Sequence, residues 1–509
     1  MSSAELDRAT TRAVDHCLAT QQENGCWVAD PDPRITETAL AAIALAQSQD
    51  TQTRELAWPA RRWLRTAEPQ RHHPAAEAFE AALRSLALYQ DDEIDLTGSA
   101  FADPVVAARS RVLQVIAGRL GVPVAGGTPV DQLRAEIARA VVTAVDVQLK
   151  PWSQAELLSA QALLAAQAGD HGTTQGTAIL LAGHQAMDGS FYQNPISTAL
   201  AFLALDTVAP GTAAWRAARH NLERGQHADG TWRFCSSDVW DTTLTLRAFG
   251  DVPGFDPVRR ERATAFLYAA QNDDGGWPFR SGVESDNDTT AAALLALDPE
   301  VAPFAVINRA IDYLARRRTD EGLWRTWQFR DDPPVEDVVA HVVAGLDRHR
   351  SRHDIALGPA RRWLVGRWRA EGRWTAGWYR GLPYATTEVG AALPGDPVLA
   401  EAARALAATQ NSDGGWPAEA GGPSTASSTG LALAVLAQPV APDAGDAPDG
   451  DPCARGARYL LESQHDDGTW PGQPEMCGPR PLLSHFQTHT QAFTMMGLNA
   501  ARARQPVAG

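Results

Sequence analysis

The chain has 509 residues, 44% of them hydrophobic and 21% charged, with a formal net charge of -16. That length suits two or three domains with ample material for a core, and the acidic balance argues against nucleic acid as a partner. Five cysteines, scattered and in no Cys-x-x-Cys pair, argue against a disulfide framework or a structural zinc set.

No apolar stretch reaches the ~18 residues of a membrane span, and the start at Met1 lacks an apolar leader. The expectation is a cytoplasmic protein without stable membrane insertion. Lys150 is the only lysine.

In chain order, the first helical pattern covers Leu6 to Thr20 and runs into Gln22-Glu-Asn-Gly-Cys-Trp27. An acidic segment follows at Asp91-Asp-Glu-Ile-Asp95. The same Gln, turn, aromatic grammar returns at Gln185-Ala-Met-Asp-Gly-Ser-Phe191, and then at regular intervals. Leu222 leads to Gln226 and Trp232, Leu267 to Gln271 and Trp277, Leu406 to Gln410 and Trp416, and Leu460 to Gln464 and Trp470. Degenerate copies end at Trp324, where Arg318 replaces the Gln, and at Trp374, where Trp368 does. From Trp232 to Trp470 the tryptophans step by 45, 47, 50, 42 and 54 residues.

Each period holds two helical patterns, one leading into the Gln and one following the turn behind a Ser, Thr or Asp cap. No such hairpin can bury its apolar face alone, so the repeats must stack on one another. The fold class read from this is all-α, with an α/α barrel and a further helical domain. Six pairs from about residue 211 onward close a barrel over 211–509. A second helical domain is inserted at 31–210, and residues 1–30 supply a helix that packs on the C-terminal barrel.

The stretch Glu284-Ser-Asp-Asn-Asp-Thr-Thr290 follows the turn at Trp277-Pro-Phe279 and opens an apolar helix. Asp286 and Asp288 thus stand at a helix mouth beside aromatic residues. Burial and mutual repulsion there keep one carboxyl protonated, which makes the pair a candidate acid.

The Gln-to-Trp repeats, the order Ser236-Ser-Asp-Val-Trp-Asp-Thr242 and the Asp-x-Asp-Thr segment together resemble the class II terpene cyclases. That family includes squalene-hopene cyclase and the bacterial copalyl diphosphate synthases. The resemblance implies two α/α-barrel domains, the βγ didomain of those enzymes, and makes Asp288 the proton donor, with Asp286 its neighbour. Thr289 stands where the family's third aspartate would be, as in cyclases that make drimane skeletons. Farnesyl diphosphate cyclised to drimenyl diphosphate is therefore favoured over geranylgeranyl diphosphate cyclised to a copalyl product. His341, in Ala340-His-Val342, resembles a family histidine that bonds the acid or a water that removes the last proton.

A cation formed by alkene protonation needs a dry cavity and electron-rich walls, for which aromatic faces serve. Candidates are Phe279, Trp327, Phe329, Trp378, Tyr379 and Tyr384, whereas the repeat tryptophans Trp277, Trp324, Trp374, Trp416 and Trp470 are structural. Arg233, Arg330, Arg380 and Lys150 are the cations available to a retained diphosphate. Asp91, Asp92 and Asp95 fit an Asp-Asp-x-x-Asp pattern, so they are the candidate set for the Mg²⁺ that the resemblance implies. It also allows a homodimer.

Other α/α barrels lack support. A protein prenyltransferase or a lanthionine cyclase needs a zinc set missing here, and no Gly-Cys-Gly-Glu-Gln thioester segment is present. A non-catalytic helical-repeat scaffold is the rival from another class.

Overall fold

The computed structural model describes residues 3–325, 332–438 and 451–504. Its helices gather around two hydrophobic cores. One runs from Ile35 to Trp232, with Leu482 added; the other joins Leu6–Trp27 to everything from Val239 onward.

In the larger core, six inner helices among the described residues form a closed ring. They are Asp238–Phe249, Asn287–Ala296, Glu336–Arg348, Leu382–Ala392, Ala426–Leu436 and Gln487–Ala503; each touches the next and the last returns to the first. Their sequences suit that place: Ala426–Leu436 is small or apolar almost all round and buried at nearly every position. Outer helices are one-sided instead. Phe304–Arg317 buries Ile307, Ala310, Ile311, Tyr313 and Leu314 and turns its arginines outward.

Side chains of the repeat tie this outer layer together. Each Trp ring N–H donates to the carbonyl ten residues earlier, as Trp277 does to Leu267 at 2.6 Å and Trp416 to Leu406 at 2.9 Å. Each Gln amide bridges its own turn to a carbonyl of a neighbouring outer segment. Gln271 donates to Gly275 O and Val306 O, both at 2.9 Å. Gln410 reaches Pro452 O at 2.9 Å, and Gln464 reaches Ala9 O at 3.0 Å. Where Arg318 replaces the Gln, its guanidinium makes the equivalent bond to Ala356 O at 2.8 Å. Gly275 is required by its turn: its φ is 92°, and a Cβ there would collide with the carbonyl of Arg309.

Two expectations need correction. The first repeat uses Gln21, whose amide bonds Gly25 O at 2.8 Å and Arg259 O at 2.9 Å, and not Gln22. The division between cores also falls between Trp232 and Val239, later than residue 210. Helix Ala213–Arg224 packs in the first core because Gln226 meets Leu56 O at 3.0 Å, a carbonyl of that domain. The outer place left open in the larger ring is taken by Ser3–Thr20, held by Gln464. No described helix is long and apolar enough to cross a membrane.

Candidate active site

Helix Asn287–Ala296 starts where it does because Asp286 caps it. The carboxylate accepts from the Thr289 N–H at 2.6 Å and from the Thr289 hydroxyl at 3.0 Å. Thr290 accepts the Trp277 N–H at 2.9 Å, which locks the turn to the helix. Between these two anchors, Asp288 faces a cavity of about 540 Å³ where the two domains meet. That size lies in the range of roughly 300–1,000 Å³ usual for small-molecule sites.

The walls are mixed by domain. Leu40, Phe79, Arg109, Trp152 and Tyr192 come from the first; Trp240, Phe279, Trp378, Tyr379 and His489 come from the second. Asp286 and Thr289 open on the same space.

Behind Asp288 runs a buried line of charges. Its Oδ1 lies 2.5 Å from His341 Nδ1, His341 Nε2 lies 2.8 Å from Glu388 Oε2, and Glu388 receives Arg247 at 3.0 Å. Burial alone would depress the His341 imidazolium, yet Glu388 and Asp288 overcome it and push it up to about 10. Burial likewise opposes ionisation of Glu388, but Arg247 and His341 hold it down at about 2. Arg247, Glu388 and His341 alternate in sign, which is what permits their burial, and the imidazolium ends the line against the Asp288 carboxyl.

Two further carboxyls sit in the same field with less compensation. Asp286 is pushed up to about 7, first by burial and then by the charge of Asp288. Asp337 is raised for the same two reasons, although the Gly377 and Trp378 amides bond it. At neutral pH the cluster therefore stores protons beside an aromatic hollow. A carboxyl that gives one up leaves an anion facing an imidazolium and a helix N-terminus, both of which stabilise it.

The other sequence candidates are distributed as follows. Phe279 and Trp378 line the cavity. Tyr384 lies one layer behind, 4.4 Å from the Tyr379 ring and edge-on to His341 at 6.5 Å. Lys150 is off the wall, buried against Glu284 at 3.3 Å, where its charge reaches Asp286. Arg380 is off the wall as well, beside Glu475, and Arg233 pairs with Asp229 at 3.1 Å. Trp327, Phe329 and Arg330 lie outside the described residues.

The acidic segment does not fit a metal. Asp91 and Asp92 are exposed, Asp91 accepts from Ser85, and Asp95 is committed to the Thr97 amide and hydroxyl at 2.8 and 2.6 Å. No group of three or more His, Cys, Asp or Glu able to hold a metal occurs among the described residues.

Sequence reasoning missed Glu388, Arg247, Asp337, Arg109 and Arg480. A lone acid within the otherwise uncharged helix Leu382–Ala392 was the available signal for Glu388. Trp240 could have been found by offset, since its neighbour Thr242 accepts the Trp27 N–H at 3.0 Å just as Thr290 accepts that of Trp277. Trp240 thus occupies the place of Asp288 in its own repeat.

Residues 329–503 match the family described as the squalene-hopene cyclase C-terminal domain. A squalene-hopene cyclase of Bradyrhizobium diazoefficiens is 31% identical over 317 residues, 50% of this chain and 47% of its own length. A drimenyl diphosphate synthase of Streptantibioticus cattleyicolor is 31% identical over 287 residues, 54% of this chain and 45% of its own. The chain thus spans about half the length of the curated relatives it matches. In fold it is similar over 98% of its length to the ent-copalyl diphosphate synthase from Streptomyces platensis, covering 99% of that chain at a TM-score of 0.58 and 16% identity.

Proposed function

We propose that this chain, a relative of the class II terpene cyclases in its sequence, catalyses a proton-initiated bicyclisation of a linear prenyl diphosphate and keeps the diphosphate. The observation that carries this reading is the buried Asp286/Asp288 pair, backed by His341 and opening on an aromatic cavity.

Asp288 delivers a proton to the terminal alkene, whose electron pair forms the new C–H bond and leaves a tertiary cation. The carboxylate left behind is stabilised by the His341 imidazolium, which Glu388 and Arg247 keep charged. Trp240, Phe279, Trp378 and Tyr379 face the migrating charge. Each desolvated ring offers about 2 kcal/mol of cation-π attraction, while the same walls exclude the water that would quench the cation. Arg109 and Arg480 line the cavity and would receive the diphosphate. No step passes through Asp91, Asp92 or Asp95.

Farnesyl diphosphate giving a drimenyl product is preferred to geranylgeranyl diphosphate giving a copalyl product. Relatives named drimenyl diphosphate synthase, 31% and 28% identical, support that choice, as does Thr289 in place of an aspartate. The test is to offer each diphosphate to the purified protein, dephosphorylate the products and identify them by mass spectrometry. A bicyclic alcohol from farnesyl diphosphate is expected. Recovery of the linear alcohol from both substrates would remove the reading.

A further inference from the structure

We propose that a second proton-handling line, Tyr379–His489–Asp241, ends the reaction by taking the proton that the cyclised cation loses. This rests on the cyclase reading above. The line is built from three separate parts of the chain: helix Asp238–Phe249, the segment before Leu382, and the last inner helix, Gln487–Ala503.

Asp241 is fully buried and takes four donors. They are the Ala29 N–H at 3.0 Å, the Ser237 hydroxyl at 2.7 Å, the Thr488 hydroxyl at 2.8 Å and His489 Nε2 at 2.9 Å. An oxygen pair surrounded in this way has no hydrogen to give, so His489 carries its hydrogen on Nε2 and presents a lone pair at Nδ1. That lone pair meets the Tyr379 hydroxyl at 3.0 Å. The tyrosine's single hydrogen is thereby directed at His489, while the Trp240 ring N–H, at 2.8 Å, occupies one of its lone pairs. One lone pair remains, on a residue that lines the cavity beside His489.

The ring is fixed for the task by Tyr384 at 4.4 Å and by Phe493, edge-on at 5.2 Å. Trp240 packs near both this line and the acid's partner, 6.4 Å from the Tyr379 ring and 5.9 Å from that of His341. Burial pushes the Tyr379 phenol well above its ordinary range, so it works as a neutral hydroxyl.

A tertiary carbocation makes its neighbouring C–H bonds acidic enough for a neutral oxygen to accept from them. The C–H bond breaks and its electron pair becomes the alkene. The proton joins the Tyr379 oxygen as the phenol's own hydrogen passes to His489 Nδ1. Positive charge leaves the carbon skeleton and comes to rest on an imidazolium that faces Asp241. Tyr379 is the catalytic residue here, and His489 and Asp241 are positioning residues that accept the relayed charge.

The competing role is purely structural, since the same bonds pin Ala29 and the last inner helix to Asp241. Product partition separates the two. Wild type, Tyr379→Phe and His489→Gln are each incubated with farnesyl and with geranylgeranyl diphosphate, and the dephosphorylated products are quantified by gas chromatography and mass spectrometry. Tyr379→Phe keeps the ring and its packing. Both variants are expected to go on consuming substrate while the share of the wild-type unsaturated alcohol falls about tenfold or more in favour of its double-bond isomers and of hydrated diols. If wild type converts substrate and both variants return its product ratio, merely more slowly, the line is scaffold and the proposal fails alone. A wild-type product that is wholly the hydrated diol, with no new ring alkene, also overturns it. If wild type converts neither substrate, the cyclase reading falls and takes the relay with it.

Discussion

The repeat that ends at Trp277 and the repeat that ends at Trp416 have the same local architecture. In both, an Asn amide after the Gln bonds a Ser hydroxyl 13 residues on at 3.0 Å, Asn272 to Ser285 and Asn411 to Ser424. In both, an Asp in the turn accepts from that Ser, at 2.7 Å for Asp274 and 2.8 Å for Asp413. A Thr accepts the Trp N–H at 2.9 Å in each, Thr290 and Thr429. Among the positions where they part, two lie within four residues before that Thr and carry the acids: one copy has Asp286 and Asp288 where the other has Thr425 and Ser427. Asp288 meets His341 and a cavity, whereas Thr425 donates to a buried Glu475 at 2.8 Å. Shared positions hold the hairpin together, and the chemistry is written where the copies differ.

The largest effect follows from changing the acid position and its counterpart in the other copy. Asp288→Asn should lower turnover by at least the roughly 10²–10⁴-fold that general-acid removal typically costs, with helicity and Tm nearly unchanged. The matched change Ser427→Asn should leave turnover as it was. Retained activity in Asp288→Asn would mean that another group supplies the proton, and equal losses from both would make them structural.

Asp286→Asn should act more mildly. Asparagine caps a helix about as well as aspartate, so the start at Asn287 survives. A carboxyl raised to about 7 is protonated below that pH and ionised above it, so turnover of the unaltered protein should fall as pH rises through about 7. In Asp286→Asn that alkaline fall should vanish, with residual turnover reduced but flatter in pH. A profile that keeps the same limb would assign it to a different group, with Asp337 the first to examine.

Much of this was legible in sequence because side chain to backbone bonds fix the spacing. A Trp whose ring must reach the carbonyl ten residues back, and a Gln that must reach its own turn, leave a pattern that repeats along the chain. What that pattern does not carry is membership. Helix Ala213–Arg224 obeys the same grammar as the others, and only long-range partners assign it to the first core: Ala218 and Leu222 pack there and Gln226 meets Leu56 O. The charge line was hidden for a similar reason: Arg247 and Glu388 are 141 residues apart and no local spacing links them. Asp91, Asp92 and Asp95 misled in the opposite direction, since a spacing that would converge on a helix lies here in an exposed turn and a two-residue strand.

The smallest effect tests the shared half of the comparison. Thr290→Val and Thr429→Val each delete the hydroxyl that receives a buried Trp N–H, at 2.9 Å in both copies. An unsatisfied buried donor costs about 1–3 kcal/mol, so both variants should lose a similar increment of stability in chemical denaturation. Turnover below the melting range should respond to Thr290 little more than to Thr429, because neither hydroxyl faces the cavity. A Thr290→Val protein that melts like its counterpart but has lost most of its turnover would show that the hydroxyl sets the position of Asp288 as well as that of Trp277. The two copies would then differ in function even at a position where their residues and distances agree.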